Sequence, residues 1–337
     1  NLVQKALKVC EVATEQHPYS IEILLSKANI LVLEGRYEDA WEALDRAEMI
    51  QPGDEEVLLA RGNLFSASGD YTRAIECFEQ VLQYADDKSE VYFNIAYTLQ
   101  IHEQYQEAAR YYKYTLSENL EHEDAIYELA ICLDILDKFD EGIRFFQKII
   151  DKNPYLAVAW FDLGILYQKK EDYEEALKAF EYATLIDKQH ASAHYEMGCC
   201  CMNLERYEEA FECFLQTLEF EGPSADVNCH AGAALEKQGK FPEALKFYRK
   251  ALEEDEEWED AWYGASICLM HLQKWLEALH YLNKLLRIND FSDEYWLAKA
   301  EAEYELGNLQ HACEAFEKVL SIIPANADLW LNWSYMY

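Results

Sequence analysis

The sequence predicts an all-α chain of stacked helix pairs. Three observations carry this expectation. Small residues return at a fixed period, large apolar residues return at the same period with fixed offsets, and turn-forming residues are scarce. The small residues are Ala28, Gly62, Ala96, Ala130, Gly164, Gly198, Gly232, Ser266, Ala300 and Ser334, each 34 positions after the last. A second series keeps the same period: Ala40, Ala74, Ala108, Gly142, Ala176, Ala210, Ala244, Ala278 and Ala312. Gly is 12 and Pro 6 of 337 residues. Average usage is about 7% and 5%, so a sandwich or barrel with many Gly/Pro turns is excluded.

The elements follow from the frame. Units begin at Ile21, Glu55, Ser89, Glu123, Ala157, Ala191, Ala225, Glu259 and Asp293, with a further start at Ala327. Counting each start as position 1, positions 4, 8 and 11 form one stripe and positions 20, 24 and 27 another. Both are spaced i, i+4, i+7, one face of a helix. Small residues at positions 8 and 20 let two helix backbones approach closely. Position 24 supplies the large partner: Leu44, Phe78, Tyr112, Phe146, Phe180, Phe214, Tyr248, Leu282 and Phe316. Position 17 is a ring or leucine throughout: Tyr37, Tyr71, Tyr105, Phe139, Tyr173, Tyr207, Phe241, Trp275 and Leu309. Gly35, Gly69, Gly239 and Gly307 fall at position 15, where a helix end needs positive φ. Residues 1–20 read as the second helix of an incomplete unit, and 327–337 as the first helix of a truncated one. No linker or composition shift interrupts the frame, so one continuous array over 1–337 is expected, with neighbour-to-neighbour contacts.

This pattern resembles the tetratricopeptide repeat, a 34-residue helix–turn–helix unit. The resemblance covers essentially the whole chain. The clearest unit carries Trp160, Leu163, Gly164, Tyr167, Tyr173, Ala176, Phe180 and Ala183. Pro at position 32 is present as Pro18, Pro52, Pro154 and Pro324, and is replaced elsewhere, as by Asp86, Lys188 and Glu256. The resemblance implies a right-handed α-solenoid, a superhelix whose first helices line a concave groove. It also implies a non-catalytic scaffold that binds proteins or peptides.

Charge and chemistry narrow the function. The chain has 64 acidic and 29 basic residues, a net charge of −35, and 51% apolar residues. Nucleic-acid binding and docking on anionic membranes are excluded as leading functions, since both need basic surface. No run of about 18 apolar residues occurs, so no membrane span is expected. Ten cysteines in a chain this long read as free thiols in a reducing cytoplasm. Cys199, Cys200 and Cys201 are adjacent, but helix neighbours diverge by about 100° and cannot share one metal ion. Cys132, Cys200 and Cys268 share position 10 and read as core packing. His190 and His194 lack a third ligand, and no phosphate loop or catalytic triad is recognisable. No cofactor, metal or enzyme activity is expected.

The remaining signal lies on the first helices. Position 2 is acidic in eight of ten units, including Glu90, Asp124, Asp226 and Asp260. Acids there also suit the helix N-terminus. Position 5 is never charged and includes Phe93, Tyr127, Phe161, Tyr195 and Tyr263. Position 9 adds Tyr97. These residues are the candidate partner-binding groove. Family members that hold a C-terminal carboxylate use cations at positions 2, 5 and 6. The best window here is Leu59, Asn63, Asn94, Asp124 and Glu128, without any cation. A partner with basic and apolar residues is therefore expected. A secondary acidic patch is formed by Glu253, Glu254, Asp255, Glu256, Glu257 and Trp258. Two further expectations remain. The array belongs to a larger enzyme or regulator as its recruiting part, or it self-associates end to end through the aromatic last segment, with Trp330, Trp333, Tyr335 and Tyr337.

Overall fold

The computed structural model describes residues 2–323. They form nineteen α-helices and no strand. The chain divides into two compact units, one ending at Lys170 and the other beginning at Glu171. The first unit holds α1 (Leu2–Gln16), α2 (Ile21–Leu33), α3 (Tyr37–Ile50), α4 (Glu55–Ala67), α5 (Tyr71–Val81), α6 (Ser89–Ile101), α7 (Tyr105–Glu118), α8 (Glu123–Ile135), α9 (Phe139–Lys152) and α10 (Ala157–Lys169). The second holds α11 (Tyr173–Ile186), α12 (Ala191–Asn203), α13 (Tyr207–Glu221), α14 (Ala225–Lys237), α15 (Phe241–Glu254), α16 (Glu259–His271), α17 (Trp275–Ile288), α18 (Asp293–Glu305) and α19 (Leu309–Ile322). The aromatic segment expected to mediate end contacts lies outside the described residues.

Within each unit the architecture is an all-α solenoid of helix–turn–helix repeats, each helix packing on the next. First helices also pack on first helices: α2 on α4, α4 on α6, α6 on α8 and α8 on α10, then α14 on α16 and α16 on α18. This leaves one face of each unit built from first helices alone. No described helix is long and apolar enough to cross a membrane.

Inside a pair, the large residue at position 24 sits where position 8 is small. All nine position-24 side chains, from Leu44 to Phe316, are 3% exposed or less. A Cβ on Gly198 would lie 2.5 Å from the Phe214 ring, and one on Gly62 would overlap the Phe78 ring. Tyr248 is held between two glycines: a Cβ on either Gly232 or Gly264 would press on its ring. One pair departs from this. The α8–α9 interface is sparse, while α8 packs more fully on α10 than other first helices do on theirs. Gly142 at position 20 explains the lean, since a Cβ there would come within 2.5 Å of Leu166 Cδ1.

The turn between the two helices is equally regular. Position 15 takes positive φ in all nine repeats: 71° at Gly35, 88° at Gly69, 74° at Gly239 and 80° at Gly307. Where glycine is missing the angle persists, at 61° for Glu103, 52° for Asp137, 61° for Glu171, 59° for Glu205 and 58° for Gln273. The reason is the hydrogen-bond pattern of the helix end. The Gly35 N–H donates to Val32 at 2.9 Å, and the Arg36 N–H reaches back to Leu31 at 2.9 Å. The same two bonds recur at Glu205 and Arg206, which donate to Met202 and Cys201. This is the left-handed helix cap that satisfies the last carbonyls.

One buried acid stands apart. Asp162, at position 6 of α10, is 3% exposed. Its Oδ2 has no hydrogen-bond partner among the described residues. Burial pushes its carboxyl up to about 7.

Three outcomes test this packing. Gly198→Leu, which overpacks the Phe214 seat, is expected to cost about 1–3 kcal/mol or more in thermal melts. Glu205→Gly removes a left-handed strain of about 1–2 kcal/mol and adds about 0.5–1 kcal/mol of glycine entropy. It should raise stability by up to about 1 kcal/mol, whereas Gly239→Ala, with open space around it, should lose about 1 kcal/mol through φ alone. The third concerns Asp162. Its native pKa exceeds its unfolded value, so the native state binds the extra proton between about pH 4 and 7 and stability falls as pH rises through that window. Asp162→Asn should remove this fall. Denaturation of parent and variant at about pH 4.5, near the lower end of that window, and at about pH 8, above it, should show the variant gaining relative stability at the higher pH; parallel curves would refute the assignment.

Candidate functional site

The first-helix face of each unit is shaped by the helix starts. Ser20 and Asp54 cap α2 and α4 with their side chains. Helices that begin in phase place positions 2, 5, 6 and 9 on one side. In the first unit, Glu22, Leu25, Ser26 and Asn29 of α2 face Glu56, Leu59, Ala60 and Asn63 of α4 across a cleft of about 330 Å³. Thus the acidic and apolar rows do meet there, with two asparagines at the far side.

At α6 and α8 the rows are richer in rings. The Phe93 ring is half-buried, stacking on His122 at 4.6 Å between centroids and lying 6.2 Å from Tyr97 and 5.7 Å from Tyr112. Tyr97 is 46% exposed and Tyr127 52%. Glu90 and Asp124 are exposed beside them. His122 Nδ1 accepts the Ala125 N–H, capping α8, and its Nε2 lies 3.5 Å from Glu90 Oε1. Glu90 therefore reaches the residue that caps the next first helix. Behind the rings, the Tyr112 hydroxyl donates to Gln100 at 2.6 Å, and the Gln100 amide donates to Glu128 at 2.5 Å. Phe161 of α10 is half-buried.

In the second unit the corresponding side chains are more engaged with one another. Tyr195 is half-buried, 5.8 Å from the Phe214 ring and 5.5 Å from His230. Burial raises its phenol well above the usual range, and a hydrogen bond donated to Asp226 adds to this. Asp226 also lies 3.3 Å from His230 Nδ1. Asp260 and Tyr263 line a cleft of about 290 Å³ with Cys229, His230, Glu236 and Tyr248. At its floor the Tyr248 hydroxyl donates to Glu236 at 2.7 Å. Tyr263 packs 5.2 Å from Tyr295.

The acidic patch is in large part a turn. Glu253, Glu254, Asp255, Glu256 and Glu257 are exposed, and Trp258 is half-buried as the residue that precedes α16. Asp255 accepts the Glu257 N–H at 2.9 Å, and the Glu256 carbonyl accepts the Trp262 indole N–H at 2.7 Å. The Trp258 side chain donates toward the Cys229 thiol. Its ring is thus committed to the fold rather than presented outward.

The thiols are core groups. Cys132, Cys200 and Cys268 are fully buried. Burial pushes each up to about 12. All ten cysteines are free. His190 Nδ1 accepts the Ala193 N–H, a helix-capping bond, and burial lowers its pKa. Among the described residues no group of three or more His, Cys, Asp or Glu side chains could hold a metal ion. Residue types alone did not single out His122 and His230. The available signal was position: His122, like His190, directly precedes a first helix.

Comparison with known proteins agrees with this architecture. Models of the tetratricopeptide repeat match residues 57–92, 93–157, 157–190, 191–221, 235–302 and 293–326. No curated protein matches the chain significantly. Among solved structures, YrrB, described as a tetratricopeptide repeat protein with an unusual peptide-binding site, is 23% identical with a TM-score of 0.51, over 56% of this chain and 97% of that one. MamA is 21% identical with a TM-score of 0.45, over 51% of this chain and 94% of that one. The repeat models together span most of the sequence, and the paired helices with their capped turns are the repeat's own unit: the chain belongs to the tetratricopeptide repeat family.

Proposed function

We propose that the chain is a non-catalytic protein-interaction scaffold whose first-helix face takes a peptide or helical segment bearing basic and apolar side chains. One observation carries the reading. Tyr97 and Tyr127 are about half exposed next to Glu90 and Asp124, on rows that hold no lysine or arginine at positions 2, 5, 6 or 9. Exposed aromatic rings beside unbalanced carboxylates suit a cationic partner with apolar anchors. The rings would supply most of the affinity, as buried aromatics do at interfaces. The carboxylates would speed arrival and set orientation. Successive repeats present equivalent positions, so a longer segment meets several anchors in turn.

The second unit contributes differently. Tyr195 and Asp226 are already hydrogen-bonded to each other, so a ligand there must displace that contact or read the pair as one surface. The cleft around Asp260 and Tyr263 offers the more open place on that unit.

The test uses two pairs of exposed residues, so folding is little disturbed. A dye-labelled peptide of alternating lysine and leucine serves as probe. Glu90→Lys with Asp124→Lys should slow association and flatten its salt dependence. Tyr97→Ala with Tyr127→Ala should mainly raise the dissociation rate, by about tenfold or more, or roughly 1.4 kcal/mol. Unchanged affinity and salt response in both folded variants would remove the face as the binding site.

A further inference from the structure

On the other side of the first unit, the second helices form a cleft of opposite charge. It lies between α7 and α9 and has a volume of about 370 Å³. That is within the range of ligand-holding clefts, about 300–1,000 Å³. Leu116 and Ile149 are 2% and 3% exposed, and with Leu120 and Phe145 they give it an apolar lining. Three lysines reach it, Lys113, Lys148 and Lys152, with one carboxylate, Asp151. In a chain of net charge −35, three lysines against one carboxylate run opposite to the overall balance.

The partners of these lysines differ. Lys113 pairs with Glu141 and lies over the Phe145 ring at 5.5 Å. Lys148 and Lys152 are exposed and make no ion pair among the described residues. The equivalent place between α15 and α17 shows why. There Lys284, the counterpart of Lys148, lies 3.7 Å from Glu256. Glu256 stands at position 32, where the α7–α9 cleft has Leu120. Replacing that acid by leucine both removes the lysine's partner and adds apolar lining. Lys152, in the last turn of α9, also suits the negative end of the helix. Lys148, a full turn earlier, gains little from it, since that field fades within the last turn.

We propose that the α7–α9 cleft is a separate docking site for an acidic peptide segment carrying one large apolar side chain. The apolar side chain occupies the floor formed by Leu116, Leu120, Phe145 and Ile149. Carboxylates flanking it meet Lys148 and Lys152 on the rim. The two ammonium groups sit one helical turn apart on one wall, so two successive acids match them better than a single small anion. The site is independent of the first-helix face and has the opposite charge preference, so the two can fail separately.

The probe is a dye-labelled hexapeptide with one phenylalanine among glutamates, and a control in which alanine replaces the phenylalanine. Fluorescence anisotropy is read for the parent, for Lys148→Gln with Lys152→Gln, and for Tyr127→Ala. Both lysines are exposed, and thermal melts verify that the variants remain folded. The expected result is saturable binding to the parent, weakened about tenfold or more by the double lysine variant. The alanine control should bind several-fold more weakly, and Tyr127→Ala should bind as the parent does. Equal binding by the lysine variant, equal binding of the alanine control, or no saturable binding to the parent would overturn the proposal. If the peptide fails while light scattering shows self-association that the lysine variant abolishes, the occupant is a second copy of this chain and the acidic-partner proposal falls.

Discussion

The seating of a large side chain at position 24 against a small residue at position 8 is the contact on which the rest depends. Phe78 against Gly62 and Phe214 against Gly198 leave no room for even a methyl group on the first helix. Because interiors are packed as densely as crystals, this contact sets the separation and angle of each pair. The angle in turn decides which side of the first helix is left uncovered. Positions 4, 8 and 11 are taken up by the pair's own packing, which turns positions 2, 5 and 9 toward the first-helix face. The exception supports the rule. At α8–α9, the small residue at position 20 admits Leu166 of the next first helix, and the packing within the repeat thins.

The turn at position 15 shows packing overriding local preference. Five repeats place Glu, Asp or Gln in a left-handed conformation that glycine adopts without strain. Each carries a strain cost on the order of 1 kcal/mol. It persists because the alternative would strand the carbonyls of the helix end and unseat the large side chain nine residues later. Local strain is tolerated where the tertiary packing on either side is fully formed.

The first helices carry acids at their N-terminal ends, which favour the helix dipole and also leave a negative surface next to exposed rings. Cations are few, and several are spent in short-range pairs such as Arg36 with Asp39 and Arg206 with Glu209. Exposed pairs of that kind add little stability. Lys148 and Lys152 differ because no carboxylate among the described residues pairs with them.

What the sequence by itself determined is what recurs. The period, the small and large positions, and the family resemblance made the all-α solenoid legible, because each repeat must solve the same packing problem and the same residue types return at the same offsets. The acidic and aromatic rows were visible for the same reason. Only the tertiary structure decided what does not recur. It tied Tyr195 to Asp226, stacked Phe93 on His122, turned Trp258 toward Cys229, and set Lys148 beside Leu120 where the equivalent Lys284 meets Glu256. These contacts join side chains about 30 positions apart, two of them between neighbouring repeats and two between the opposite ends of one repeat, through reach and direction rather than spacing. A one-dimensional pattern reports which face a residue occupies. It does not report whether a neighbouring repeat supplies a partner at that point, and that difference separates an occupied surface from an open one.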